Sequence, residues 1–151
     1  MSKNQLYKNI LEETYLATAQ GRIEDFKSHL ATDISWTEAA GFPYAGTYIG
    51  PDAVIENVHA RLGSEWTNYS ATPVDYAFSG NRVMVYGYYK GTYNLTEKSF
   101  QADFVHIYDF NAENRITHFI QIVDSALVEK AMRSKSIFKS LFVTHYFTNR
   151  Y

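Results

Sequence analysis

Four stretches in the second half of the chain decide most of what it can fold into: "YSATPVDYAFSG", "NRVMVYGYYKGTYN", "SFQADFVHIYDFN" and "RITHFIQIVD". Each is rich in β-branched and aromatic residues, and in the last three apolar and polar positions alternate, the period of a strand. Between them lie Ser79-Gly80-Asn81, Asn94 to Lys98 and Asn111 to Asn114, all turn chemistry. Connections this short join antiparallel neighbours, because a parallel return needs a dozen or more residues. The second half therefore reads as a meandering antiparallel sheet.

The alternation separates the faces of that sheet. Phe100, Ala102, Phe104, His106 and Tyr108 share one side of the third run, and Phe119, Gln121 and Val123 share one side of the fourth. The opposite set of the fourth run, Ile116, His118, Ile120 and Ile122, is too apolar to face water alone. A homodimer through this outer sheet face is the expectation.

The first half carries helical spacing. Over residues 3–19, Tyr7, Ile10, Leu11, Thr14, Tyr15 and Thr18 form one stripe, and Gly21 stops the helix. "RIEDFKSHLA" predicts a second, short helix. Residues 33–38 predict a strand in which Ile34, Trp36 and Glu38 share a face. "GPDAVIENVHARLG" predicts a third helix, with Pro51 at its start and Val54, Val58 and Leu62 as its buried stripe. Helix, helix, strand, helix and four strands describe an α+β fold: a cone-shaped, curved antiparallel (mixed) sheet with the three N-terminal-half helices over its concave face.

Composition narrows the function classes. The net charge of −2 provides no basic field for nucleic acid, and the five basic residues after Glu129 are the only charged ones there. With no cysteine, disulfides and thiolate chemistry are excluded, and the five histidines lack metal-ligand spacing, so neither a metal site nor another cofactor is expected. "MSKNQLYKNI" has no apolar leader core, which predicts a cytoplasmic protein and makes the sequons at Asn68 and Asn94 chance matches. Thirteen tyrosines suit a half-wet cavity, although strands favour aromatics in any case.

If the helices cover the Phe104/Phe119 face, Glu38, His106 and Gln121 point into an apolar interior from three strands. A buried polar group without a partner costs roughly 1–3 kcal/mol, so each needs a partner or a ligand. A lone buried histidine is ordinarily a satisfied core residue; three polar groups converging on one space suggest a site. Desolvation between Trp36 and the "AAGFPY" loop would raise the Glu38 pKa and suit it to abstract a proton beside a carbonyl.

The order of elements, the Gly21-to-Glu38 spacing, the "G-x-Y-x-G-P-D-A-V" entry to the third helix and "DFVHIYDFNAENRITHFIQIVD" resemble the SnoaL-like branch of the superfamily of ketosteroid isomerase and nuclear transport factor two. The resemblance covers residues 5–132. It implies a small-molecule pocket, with Glu38 similar to the isomerase aspartate that shuttles the proton, seventeen residues after the glycine closing the first helix. His106 falls where the isomerase has the protonated acid of its oxyanion hole. Tyr15 lies near the tyrosine of that hole, with one residue deleted before Gly21. Gln121 replaces an apolar wall residue, which argues against a steroid. Asp124 is a further acid/base candidate by likeness to SnoaL-type cyclases, or a cap of a helix starting near Ser125.

The expectation is thus an isomerase, cyclase or dehydratase acting on a small apolar or aromatic, carbonyl-containing ligand. Glu38, His106, Gln121 and Tyr15 would do the chemistry, and Trp36, Tyr44, Trp66, Phe104, Tyr108 and Phe119 would shape the pocket. A non-catalytic ligand-binding module, and an association module whose interior is filled by its own side chains, are the alternatives. Residues 1–132 form the domain. The extension 133–151, with Ile137, Phe138, Leu141, Phe142 and Tyr146 at helical spacing, is expected to pack on this domain or the dimer mate rather than on a membrane.

Overall fold

A computed structural model describes residues 1–134. Helix α1 (Lys3–Ala19) starts on a Ser2 N-cap, whose side chain accepts from the Gln5 amide, and Gly21 beyond its end takes a left-handed φ of 69°. Helix α2 (Ile23–Ser28) follows, then strand β1 (Leu30–Glu38). Strand β2 (Gly46–Ile49) leads to Pro51, where α3 (Pro51–Val54), a π-helical turn (Ile55–His59) and α4 (Ala60–Glu65) run on without a break. The long strands β3 (Trp66–Ser79), β4 (Arg82–Tyr93), β5 (Ser99–Phe110) and β6 (Ile116–Val123) precede α5 (Ser125–Met132).

The six strands lie in the order β2-β1-β6-β5-β4-β3, so β2 and β3 are the two edges of an open sheet. Only β1 and β6 pair in parallel, with Trp36 opposite Phe119; the other neighbours are antiparallel. The α+β expectation stands, with three local corrections. Strand β2 has no counterpart among the expected elements, because four residues are too few to display an alternation. Strand β1 starts at Leu30, three residues early, and shortens the second helix to match. Ile116, placed on the outer face by strict alternation, is fully buried: a register shift at Asp109/Phe110 leaves Thr117 unpaired and turns Ile116 to the side of Phe119.

The inner face of the sheet and the helices enclose one core around Leu11, Ile34, Trp36, Phe104 and Phe119. A second, smaller cluster packs Val128 and Ala131 of α5 against Phe42, Tyr44, Trp66, Tyr93 and Ala102. Where β4 crosses the core, Gly87 is required: a Cβ there would lie 2.3 Å from the Thr72 carbonyl oxygen and 2.5 Å from the Phe104 ring. Asp124 takes the N-cap position of α5, but its side chain makes no capping hydrogen bond.

The opposite face is open. Ile122 is 54% exposed, Tyr86 46%, Ile120 40% and Met84 38%, and His118 lies on this side, away from His106. No helix among the described residues is long and apolar enough to cross a membrane. The reading of the tail as an amphipathic helix falls on 135–151 and lies outside the described residues.

Candidate functional site

Between the helices and the inner sheet face is a cavity of about 510 Å³. Its lining includes Glu38, His106, Gln121 and Tyr15, as well as Trp36, Trp66, Tyr108 and Phe119, so eight of the ten residues expected to do the chemistry or shape the pocket meet there, while Asp124, the further acid/base candidate, is not in the lining. The other two of the ten stand behind it. Phe104 is stacked under the His106 ring at 3.8 Å, and Tyr44 is buried with its hydroxyl accepting from the Trp66 indole at 2.9 Å.

Glu38 ends β1 on the same face as Ile34 and Trp36, as a period of two dictates, and it is 4% exposed. Its Oε1 accepts from Trp36 Nε1 at 2.8 Å, while Oε2 has no partner. Trp36 is itself fixed by stacking on Phe119, with ring centroids 3.6 Å apart, an arrangement set by their pairing across β1 and β6. Burial of the carboxylate raises its pKa from 4.5 to about 7, with the Trp36 indole and the Gln121 amide pulling the other way.

Gln121, Tyr89, His106, Tyr15 and Tyr108 form one chain of hydrogen bonds. The Ala39 amide donates to Gln121 Oε1 at 3.1 Å, and Gln121 Nε2 donates to the Tyr89 hydroxyl at 2.9 Å. Tyr89 pairs with His106 Nε2, and His106 Nδ1 pairs with the Tyr15 hydroxyl at 2.7 Å. Tyr108 then donates to Tyr15 at 3.0 Å. Burial holds His106 well below its ordinary pKa, so the ring is neutral, and it holds Tyr15 and Tyr89 well above theirs, so both are protonated.

A neutral imidazole has one N–H and one lone pair, which fixes the count of hydrogens in this chain. With the hydrogen on Nδ1, the ring donates to Tyr15, which also accepts from Tyr108; the Tyr15 hydrogen is left over. With the hydrogen on Nε2, the ring donates to Tyr89, which already accepts from Gln121; the Tyr89 hydrogen is left over. Both tyrosines line the cavity. Either tautomer therefore leaves a hydroxyl hydrogen for whatever oxygen comes within reach.

Among the lining residues that the sequence reading did not assign to the pocket are His59, Tyr69 and Tyr89. Tyr89 was legible, since it continues the inward set Val83, Val85, Gly87 of β4. Tyr69 lies where β3 is interrupted between Thr67 and Ser70, so alternation could not place it. His59 sits at the end of the π-turn, four residues after Ile55 and three before Leu62, both in the lining, so helical spacing was the signal that could have placed it.

No protein with a curated description matches the chain. Among solved structures, an NTF2-like protein from Burkholderia thailandensis is 37% identical, covering 84% of this chain and 97% of its own, with a TM-score of 0.79. An NTF2-like protein of unknown function from Burkholderia pseudomallei is 25% identical over 89% of this chain and all (100%) of its own, with a TM-score of 0.78. TerC, co-crystallised with polyporic acid, shares the fold at 21% identity, covering 85% of this chain and 98% of its own, with a TM-score of 0.76. A family model described as a SnoaL-like domain matches residues 11–119, and the chain belongs to that SnoaL-like family within the NTF2-like superfamily.

Proposed function

We propose that the protein binds a small, planar, carbonyl-containing organic molecule and moves a proton at the carbon beside the carbonyl, as an isomerase, cyclase or dehydratase would. The observation that carries this is Glu38: a buried carboxylate in an apolar cavity, with one oxygen unpartnered and a pKa of about 7. Such a group is half ionised at neutral pH and suited both to take a proton and to return it. Glu38 Oε2 takes the hydrogen from the α-carbon, and the C–H electron pair passes to the carbonyl oxygen. That oxygen becomes an enolate and accepts the hydroxyl hydrogen left over by the Tyr15–His106–Tyr89 chain. Glu38 then returns the proton, to the same carbon or to another.

The open interior speaks against a module filled by its own side chains. That TerC was co-crystallised with polyporic acid fits an organic ligand, and the assignment here rests on this chain's own residues. For the outer sheet face we propose a second copy of the chain, seated on Met84, Tyr86, Ile120 and Ile122.

Exchange of the α-hydrogens of 2-tetralone in D2O, followed by NMR, tests the reaction. The protein is expected to accelerate it by roughly a hundredfold or more, the usual range for a positioned base, with the rate rising as pH passes about 7. Glu38→Gln should return exchange to the background rate. Equal exchange with the variant, or none above background with the wild type, refutes the assignment.

A further inference from the structure

Glu38 Oε2 is one of three buried, unpartnered polar atoms on residues that line the cavity. The other two, His59 Nε2 and Tyr69 Oη, have no part in the proton transfer described above. Both are out of reach of bulk water, and a buried polar group left unpaired is expected to meet a ligand atom. They also come from elements other than those that carry the reacting groups. His59 is on the helical wall, and Tyr69 is on edge strand β3, whereas the carboxylate and its hydrogen-bonded neighbours come from α1, β1, β4, β5 and β6.

Aromatic packing fixes both rings. His59 meets Phe26 edge-on at 4.7 Å and Trp36 at 5.7 Å. Tyr69 lies 5.4 Å from Tyr89 and 5.9 Å from Trp66. Burial keeps His59 neutral down to about pH 4 and keeps the Tyr69 hydroxyl protonated, the latter with help from the negative field of Glu38. A neutral imidazole presents either N–H or a lone pair at Nε2. A hydroxyl pairs with either form, a carbonyl with only one, a hydrocarbon edge with neither. Tyr69, with a hydrogen to give, pairs with any oxygen that reaches it.

We propose that His59 and Tyr69 are specificity-determining residues that pair with oxygen on the ligand, and that a ring hydroxyl other than the reacting carbonyl oxygen is the group they select. This rests on the proton-transfer reading only for which end of the ligand reacts.

The test compares two probes, 2-tetralone and 6-hydroxy-2-tetralone, by isothermal titration calorimetry on the full chain. The wild type is expected to bind the hydroxylated ketone about tenfold more tightly, the worth of roughly one buried hydrogen bond. His59→Phe keeps an aromatic ring against Phe26 and Trp36, and should bring the ratio close to one. Tyr69→Phe should lower the ratio, and His59→Asn, which still offers a donor and an acceptor, should retain part of it. Because the lost atom has no partner in the free protein, His59→Phe should melt no lower than wild type, which a structural role would contradict. Equal affinity of wild type for the two ketones, no binding of either, or a preference that survives both Phe variants overturns the proposal. Exchange measured in the same samples separates the two readings. Preference without exchange leaves recognition standing and removes the reaction; exchange without preference does the reverse.

Discussion

Replacing Glu38 by Gln should make the protein progressively more stable relative to wild type as pH rises, a pH dependence not expected of most core substitutions. The carboxyl keeps its proton in the folded state up to about pH 7, against an ordinary value of 4.5. Between those values the folded state holds a proton that the unfolded chain has released, so wild-type stability is full below about 4.5 and falls as pH rises through about 7. At about 1.4 kcal/mol per pKa unit, the displacement amounts to about 3 kcal/mol in all, of which about 2.5 kcal/mol is lost between pH 5 and pH 8. Glutamine keeps an acceptor for the Trp36 indole and removes the titration; its amide hydrogens replace an oxygen that already lacks a partner, at a cost of about 1–3 kcal/mol that does not vary with pH. Urea unfolding of both proteins at matched pH isolates the slope. His59 and His106, held neutral by burial, pull the other way on the acid side but are common to both proteins. The stability difference, variant minus wild type, should rise by about 2.5 kcal/mol from pH 5 to pH 8. Parallel profiles would mean that Glu38 titrates as an ordinary surface carboxylate, and the catalytic assignment would fall with them.

Gly87→Ala should cost about 3 kcal/mol or prevent folding, because its Cβ would sit inside the Thr72 carbonyl contact; an unchanged urea midpoint would show that β3 and β4 can part there. His59 is held down to about pH 4, so His59→Phe should flatten the loss of stability as pH falls below about 6.5, read from thermal melts at pH 4.5 and 6.5. Tyr15→Phe removes one of the two hydroxyls that can supply the spare hydrogen, and should slow tetralone exchange about tenfold while leaving ketone affinity within a factor of two or three. On the outer face, Ile120→Glu combined with Ile122→Lys should convert a dimer into a monomer by sedimentation, whereas a wild type that sediments as a monomer removes that interface.

The sequence disclosed those parts of the fold that follow a simple period. Alternation placed Glu38, Trp36, His106, Tyr108, Phe119 and Gln121 on inward faces before any coordinates, and the helical stripe of α1 did the same for Tyr15. It failed where the period breaks. The unpaired Thr117 turned Ile116 inward, and the interruption of β3 hid Tyr69. Strand β2 was too short to show any pattern. The connectivity of the hydrogen-bond chain was also beyond reach, because Gln121 to Tyr89 to His106 to Tyr15 joins four separate elements through side-chain tips, and only packing sets those distances.

The Trp36 indole that donates to Glu38 is also a fluorophore, one of only two tryptophans in the chain. The other, Trp66, donates to the neutral Tyr44 hydroxyl instead. A Trp66→Phe protein excited beyond the tyrosine absorption band would thus report from a single tryptophan, hydrogen-bonded to the carboxyl whose ionisation matters most. Its spectrum would follow the charge on Glu38 as pH is varied and, at fixed pH, the arrival of any molecule beside it, so the cavity carries its own optical gauge for screening ligands without a label.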